Sequence, residues 1–270
     1  ILRYGVEHPQ YPALDDLMQA EVTLGRSELG FVRPGGGVPT ATYTLEELAQ
    51  QPAQRYTFEA IRAVANAVRT YMNERENIVG VTVSLQDQIA EEEDDGQVIR
   101  TDVRPKGQTA MTLTISTAIV NKVRSVAFGE KVPFEERIDN PRYERIVANS
   151  PVQPFDPDDQ SRTDLLRKDK LDDYVYRLNR HPGRRVDLGI AAADEANALV
   201  LDYYVNENKP WTIYGQVSNT GTKQTDTWRE RFGFVNNQLT NHDDILSIDY
   251  VTAGFDSSNA FNASYDRPLW

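Results

Sequence analysis

From Trp211 to Tyr265 apolar and polar residues alternate in four separate runs, with no helical spacing between them. Trp211, Ile213, Gly215 and Val217 take one side while Thr212, Tyr214, Gln216 and Ser218 take the other. Trp228, Phe232 and Phe234 oppose Arg229 and Arg231; Leu246, Ile248 and Tyr250 oppose Ser247 and Asp249; Phe261, Ala263 and Tyr265 oppose Asn262 and Ser264. A period of two is that of a strand with one apolar face. Turn-forming Asn, Gly, Thr and Asp residues between the runs predict an antiparallel meander. Its apolar face must be covered, either by a second layer in a sandwich or by hydrocarbon around a barrel. Trp211, Trp228, Tyr250 and Tyr265 at strand ends fit an interfacial girdle, yet half-buried soluble strands carry the same pattern. Periodicity alone leaves both solutions open.

Composition narrows the rest. The 270 residues are 39% hydrophobic and 26% charged, and no run approaches the ~18 consecutive apolar residues of a transmembrane helix. Barrel strands escape that test, because they only alternate. A net charge of −12 argues against a nucleic-acid partner, since phosphate backbones demand Lys/Arg surfaces. The absence of cysteine rules out disulfides and thiolate chemistry, which suits an oxidising periplasm without requiring one. The abrupt start at Ile1-Leu2-Arg3 and stop at Pro268-Leu269-Trp270 read as a fragment cut at both ends.

Upstream, two stretches repeat one order of elements. In residues 1–56, Pro9 and Pro12 precede an apolar run from Leu14 to Leu24, and Pro34-Gly35-Gly36-Gly37 leads to an extended piece from Thr40 to Leu45. Phe58, Ile61, Val64, Val68, Tyr71 and Met72 recur at helical spacing, with Thr57 as the N-cap. Val79, Val81, Val83 and Leu85 then alternate as a strand, Glu91 to Asp95 with Gly96 reads as an acidic turn, and Met111, Leu113 and Ile115 form a partner strand. In the second stretch, Asn121 to Phe128 is extended and Asn140-Pro141 opens a short helix. Leu171, Tyr174, Val175 and Leu178 mark a helix capped by Asp169 and stopped at His181-Pro182-Gly183. Val186, Leu188 and Ile190, then Leu199, Leu201, Tyr203 and Val205, alternate as two strands.

No catalytic or metal constellation stands out. The Glu91–Asp95 run and Asp156, Asp158, Asp159 and Asp164 lack the spaced calcium-loop pattern and read as solvated turns. Gly35-Gly36-Gly37 has no Gly-Lys-Ser/Thr after it. His8, His181 and His242 lie far apart and outside any ligand motif. Arg180, Arg184 and Arg185 either meet an acidic client or headgroup or, as the favoured assignment, complement the preceding helix C-terminus. No catalytic residue, cofactor or metal is therefore expected.

The run Leu165-Leu166-Arg167-Lys168-Asp169, Leu171-Asp172-Asp173-Tyr174 and Leu178-Asn179-Arg180-His181-Pro182-Gly183-Arg184-Arg185-Val186 resembles the second POTRA domain of haemolysin-activator-type transporters, the TpsB proteins of two-partner secretion. Asn208-Lys209-Pro210-Trp211 with Val217-Ser218-Asn219-Thr220-Gly221 is similar to that family's passage into its first barrel strand. Gly233-Phe234-Val235-Asn236-Asn237-Gln238-Leu239 with Asp243-Asp244-Ile245-Leu246-Ser247 resembles its next hairpin. The resemblance covers about residues 118–270. Before that it rests on element order and Gly80-Val81-Thr82-Val83, and the family's Val-Arg-Gly-Tyr/Phe pore-loop motif is absent.

The resemblance implies an α+β chain: a first POTRA-like domain with an N-terminal extension (1–117), a second POTRA domain (118–208), each of β-α-α-β-β order, and the first four strands of an outer-membrane β-barrel (209–270). It implies a non-enzymatic transporter in a Gram-negative-type cell outer membrane, with residues 1–208 in the periplasm. The POTRA domains would capture the secretion domain of an unfolded TpsA-like exoprotein, of haemolysin or adhesin type, and pass it to the barrel for translocation and activation. Client docking is expected by β-augmentation at the strand edges Val79, Val81, Val83 and Val186, Leu188, Ile190, although any small sheet also has edges that are merely solvated. Trp211, Ile213, Val217, Phe232, Phe234, Leu246, Ile248, Tyr250 and Phe261 would face lipid, and Arg229, Arg231 and Asp249 the lumen. A barrel-assembly factor with POTRA domains and, from another class, a soluble extracellular β-sandwich enzyme or binding protein are the alternatives.

Overall fold

The structure, a computed structural model, describes residues 1–268 except 29, 86, 87, 95, 96, 130, 131, 160, 196, 197, 225 and 256. The chain divides into two compact units that are not contiguous in sequence. One comprises Ile1–Asn121, Val152–Leu171 and Ala192–Leu199; the other comprises Lys122–Pro151, Asp172–Ala191 and Val200–Trp270.

The first unit opens with β1 (Leu2–Tyr4), α1 (Leu14–Leu17), β2 (Glu21–Ser27), β3 (Gly30–Val32) and β4 (Thr40–Thr44). The expected apolar run 14–24 is thus a helical turn followed by a strand. Helix α2 (Leu45–Gln50) starts in a capping box: Thr44 Oγ1 accepts from the Glu47 N–H at 3.1 Å, and Glu47 accepts from the Thr44 N–H at 2.8 Å. Sequence reasoning passed over this start, although Thr44-x-x-Glu47 is its signal. Helix α3 (Phe58–Glu74) begins at the expected cap, where Thr57 Oγ1 accepts from the Ala60 N–H at 3.3 Å. Its face Ala60, Val68 and Met72 is buried with Leu17, Phe31, Ile115 and Leu165 in one core. Each large aliphatic side chain there contributes about 1.5–3 kcal/mol.

Strand β5 (Val81–Ser84) leads into a hairpin, β6 (Ile89–Asp94) and β7 (Gln97–Asp102), before β8 (Leu113–Thr117). The acidic stretch Glu91–Asp94 is therefore strand, with Glu91 opposite Arg100; the expected turn residues Asp95 and Gly96 lie outside the described residues. The sheet order is β1-β8-β5, with β1 parallel and β5 antiparallel to β8. Strands β3-β2-β4 form a separate sheet.

The second repeat is β9 (Ile119–Phe128), 3-10 turns at Phe134–Glu136 and Pro141–Tyr143, α4 (Glu144–Ala148), α5 (Lys168–Asn179), β10 (Arg184–Ala192) and β11 (Ala198–Glu207). Asn140 caps the Pro141 turn as the sequence suggests. Asp169 is not the cap of α5: the helix starts at Lys168, so Asp169 sits in the first turn and pairs with Arg167 at 3.1 Å. The sheet order is β10-β11-β9. Both αβ sheets thus put their last strand in the centre, between the first and the second, which makes the repeat topological. In the second unit Val186, Leu201, Tyr203 and Val205 are fully buried with Leu178 and Ile146.

The chain ends in β12 (Trp211–Ser218), β13 (Arg229–Asn236), β14 (Ile245–Ala253) and β15 (Ser258–Asp266), a sheet in sequential order with every pair antiparallel. This is the expected meander. No helix of the described residues is long and apolar enough to cross a membrane.

Candidate client-docking edges and the uncovered sheet

In an antiparallel pair, alternate residues turn both backbone groups towards the partner strand and the residues between turn them away. The Ala118 N–H bonds the Gly80 carbonyl at 3.0 Å, and the register pairs Val81 with Thr117. Even-numbered residues of this edge therefore face β8, and Val79, Val81 and Val83 face outward. The Val79 N–H, just before β5, already donates to the Leu166 carbonyl at 3.0 Å. Val81 is a buried side chain, whereas Val83 is half-buried.

The same logic fixes β10. The bonds Ala193 N–H to Ala198 O (2.9 Å) and Asn208 N–H to Gly183 O (2.8 Å) close the two ends of its pairing with β11. Odd residues of β10 face β11, and Val186, Leu188 and Ile190 turn their backbone groups outward. Val186 again is occupied, since its N–H donates to Asn179 Oδ1 at 2.7 Å and its carbonyl accepts from Asn179 Nδ2 at 2.8 Å. The Leu188 side chain is half-buried and Ile190 is 54% exposed. Gly189 has no space for a Cβ because the Tyr204 ring lies on it. At the opposite side of this sheet, β9 is covered: Ala127 N–H donates to Arg137 O at 2.7 Å and Asp139 N–H to Ser125 O at 2.8 Å.

In the meander, cross-strand register assigns every side chain to a face. Ile213, Phe234, Ile248 and Ala263 form one row; Gly215, Phe232, Tyr250 and Phe261 the next; Trp211, Asn236, Leu246 and Tyr265 a third. Val217 shares its row with Glu230, Thr252 and Asn259, where the apolar band ends. No second layer covers this face among the described residues: Ile213 is 69% and Phe261 68% exposed. On the other face, Arg231 donates to Asp249 Oδ1 at 2.8 Å and Tyr214 donates to the same oxygen at 2.5 Å. The Tyr214 ring lies on Gly233 and leaves no room there for a side chain. Arg229, opposite Ser218, shares that polar face.

Within the second unit, the turn between β13 and β14 is tied to the end of α5. Arg184, with a side chain only 2% exposed, donates to Asp243 Oδ1 at 2.5 Å and to the Leu178 carbonyl at 3.0 Å. It thus serves the helix C-terminus, as favoured from sequence, and also pairs with a turn carboxylate that sequence reasoning missed. Burial pushes the Asp243 carboxyl up, but Arg184 and Gln238 outweigh it and hold it below the usual range. His181 meets the Asn237 carbonyl through Nε2 at 2.6 Å, while its buried Nδ1 has no partner among the described residues. Burial and the Arg184 charge push its pKa down. Arg185 pairs instead with Asp187 at the surface. His181, Arg184 and Asn237 line a cleft of about 50 Å³ with Arg142, Glu207 and Lys209.

The other singled-out residues are used locally. His8 Nδ1 accepts from the Gln10 N–H at 3.1 Å, so Nε2 carries the proton facing Asp164 Oδ1 at 2.8 Å. Asp156 accepts from the Asp158 N–H, and Asp159 pairs with Arg162 at 3.3 Å. His242 Nδ1 lies against the Thr240 carbonyl at 2.6 Å.

The αβ sheets and the antiparallel meander together have a counterpart among solved structures. In solved structures, CdiB from Escherichia coli superposes with a TM-score of 0.52 at 15% identity, covering 80% of this chain and 34% of CdiB. BamA from Haemophilus ducreyi lacking POTRA domains 1–3 gives 0.38 at 13% identity, over 81% of this chain and 36% of that one. In sequence, a 104-residue stretch is 28% identical to the heme/hemopexin transporter protein HuxB of Haemophilus influenzae (strain 86-028NP), covering 38% of this chain and 18% of HuxB. No family model matches. The chain spans about a third of the length of CdiB and under a fifth of HuxB. The resemblance to the transporters of two-partner secretion is borne out in fold by the CdiB superposition and in sequence by the stretch shared with HuxB.

Proposed function

We propose that the chain is the periplasmic receptor portion and barrel opening of a TpsB-type transporter. Residues 1–117 and 118–208 act as POTRA domains that take up an unfolded, TpsA-like exoprotein, and residues 209–270 form the first four barrel strands. The observation that carries this is the bare apolar face of the β12–β15 meander, which follows directly on an αβ module with an open sheet edge. In this reading Trp211, Ile213, Phe232, Phe234, Leu246, Ile248, Tyr250 and Phe261 meet hydrocarbon, Val217 marks the band's boundary, and Arg229, Arg231 and Asp249 line the lumen. The strands, eight or nine residues long, are close to the ~9–11 that a tilted barrel strand needs. The chain performs no chemistry; main-chain pairing at an edge is tolerant of sequence, as a conduit for an unfolded protein requires.

The test uses the absence of cysteine. Val83→Cys and Leu188→Cys, placed singly in the full chain, are crosslinked to the N-terminal segment of the secreted exoprotein encoded beside it. Crosslinks at both positions support the docking edges; crosslinks confined to other surfaces of the αβ modules overturn them. Capture of folding barrel proteins instead of that segment favours an assembly factor. A monodisperse preparation of the complete parent protein without detergent favours the soluble sandwich.

A further inference from the structure

We infer that Asn179 closes one end of the β10 docking edge and thereby sets where a client strand can begin, an inference that rests on β10 being a client edge. Asn179 is the last residue of α5, and the Pro182-Gly183 turn returns the chain so that β10 starts beside it. Its carboxamide offers both an acceptor and a donor, and both reach the same residue: Oδ1 takes the Val186 N–H and Nδ2 meets the Val186 carbonyl. Those are the two bonds that an added strand would make to Val186. The side chain therefore stands in for a strand at that position, and among the described residues the next outward backbone groups, at Leu188 and Ile190, are the first free for another chain. The first αβ module is closed at the equivalent place by different means, because Val79, the first outward residue there, donates its N–H to Leu166.

The open stretch also defines its occupant. On one side of β10 the half-buried Leu188 and the exposed Ile190 continue the core side chain of Val186. On the other, Gly189 lies bare beneath the Tyr204 ring. An extended peptide with aliphatic residues at alternate positions places them beside Leu188 and Ile190, with small or hydroxyl side chains next to Tyr204. A charged alternation gains nothing on the aliphatic side.

The experiment uses two synthetic peptides of alternating valine and threonine, five and nine residues long, each with terminal lysines for solubility. Affinity for the full chain in detergent is read by fluorescence anisotropy, and β10 amides are followed by hydrogen exchange. In the native chain both peptides protect the Leu188 and Ile190 amides and bind within about twofold of each other. In Asn179→Ala the Val186 amide exchanges freely without peptide, and the longer peptide gains about fivefold, the worth of roughly one added net hydrogen-bond increment. Should Asn179→Ala fold poorly, Asn179→Asp keeps the acceptor and loses the donor, and a smaller gain with length is expected. An equal gain from length in the native chain, or a native Val186 amide that already exchanges freely, overturns the role of Asn179 while leaving the edge intact. Loss of all protection at Leu188 and Ile190 removes the edge and this inference together.

Discussion

At the residue scale the polar tie between Arg184 and Asp243 is the most consequential contact of the second unit. A guanidinium buried to this degree cannot be left without its counter-charge. Asp243→Ala is expected to cost about 3 kcal/mol, since removing one partner strands the other in a dry site; thermal denaturation of the variant measures it, and an unchanged midpoint would show that the pair is solvent-screened. His181 adds a pH dependence. Its folded pKa is depressed by burial and by Arg184, so below the ordinary histidine pKa the unfolded chain takes up the proton first. Stability contributed by neutral His181 is thus full above pH ~6.5 and declines as pH falls below it, by at most ~1.4 kcal/mol per unit for one proton. Denaturation midpoints between pH 7 and 5 should fall less steeply in His181→Gln than in the native chain. The pairing is not visible in the sequence: His181 and Arg184 stand out by type, but Asp243 lies 59 residues from Arg184.

At the element scale, clean alternation in the sequence corresponds to strands in the structure. The four runs from Trp211 to Tyr265 became strands because a period of two is a local property that burial on one face enforces. The errors fell where local signals compete. Glu91–Asp94 reads as a turn by charge, yet pairing with Gln97–Arg100 makes it a strand, and a cross-strand Arg100–Glu91 bond at 2.7 Å offsets part of the repulsion. Glycines within strands carry the clearest prediction here. Gly189→Val forces the Tyr204 ring off β10 and should destabilise the second unit by about 1–3 kcal/mol, the usual cost of overpacking; if chemical denaturation shows no loss, the ring moves freely and the contact is incidental.

For the molecule as a whole, the meander governs behaviour in solution. Among the described residues Trp211, Ile213, Phe232 and Phe261 stand exposed in one apolar band, a kind of patch that soluble surfaces rarely carry. The full chain should therefore need detergent to stay monodisperse, and Trp211 emission should shift to the blue when micelles are added. Unchanged emission, with Trp228→Phe and Trp270→Phe introduced to isolate Trp211, would mean that the face is not a hydrocarbon surface. Four strands are too few to close a barrel, whose smallest bacterial forms have about eight, and the open edges left would hold unsatisfied backbone groups in lipid. A fragment of residues 209–270 is thus expected to aggregate or pair with copies of itself, and not to insert; vesicle flotation with protease protection distinguishes these outcomes.

The sequence by itself determined the periodicity of the two long helices and of most strands from β8 onward, the apolar side of each late strand and the order of elements in the two αβ repeats, because these depend on neighbours two to four residues apart. Only the tertiary structure decided that the last strand of each repeat lies in the middle of its sheet, that Leu166 and Asn179 occupy the first outward groups of the two edges, and that no layer of the described residues covers the meander. Those outcomes depend on which distant segments meet when the chain folds back, and hydrophobic alternation is the same whether the facing surface is protein, lipid or nothing at all.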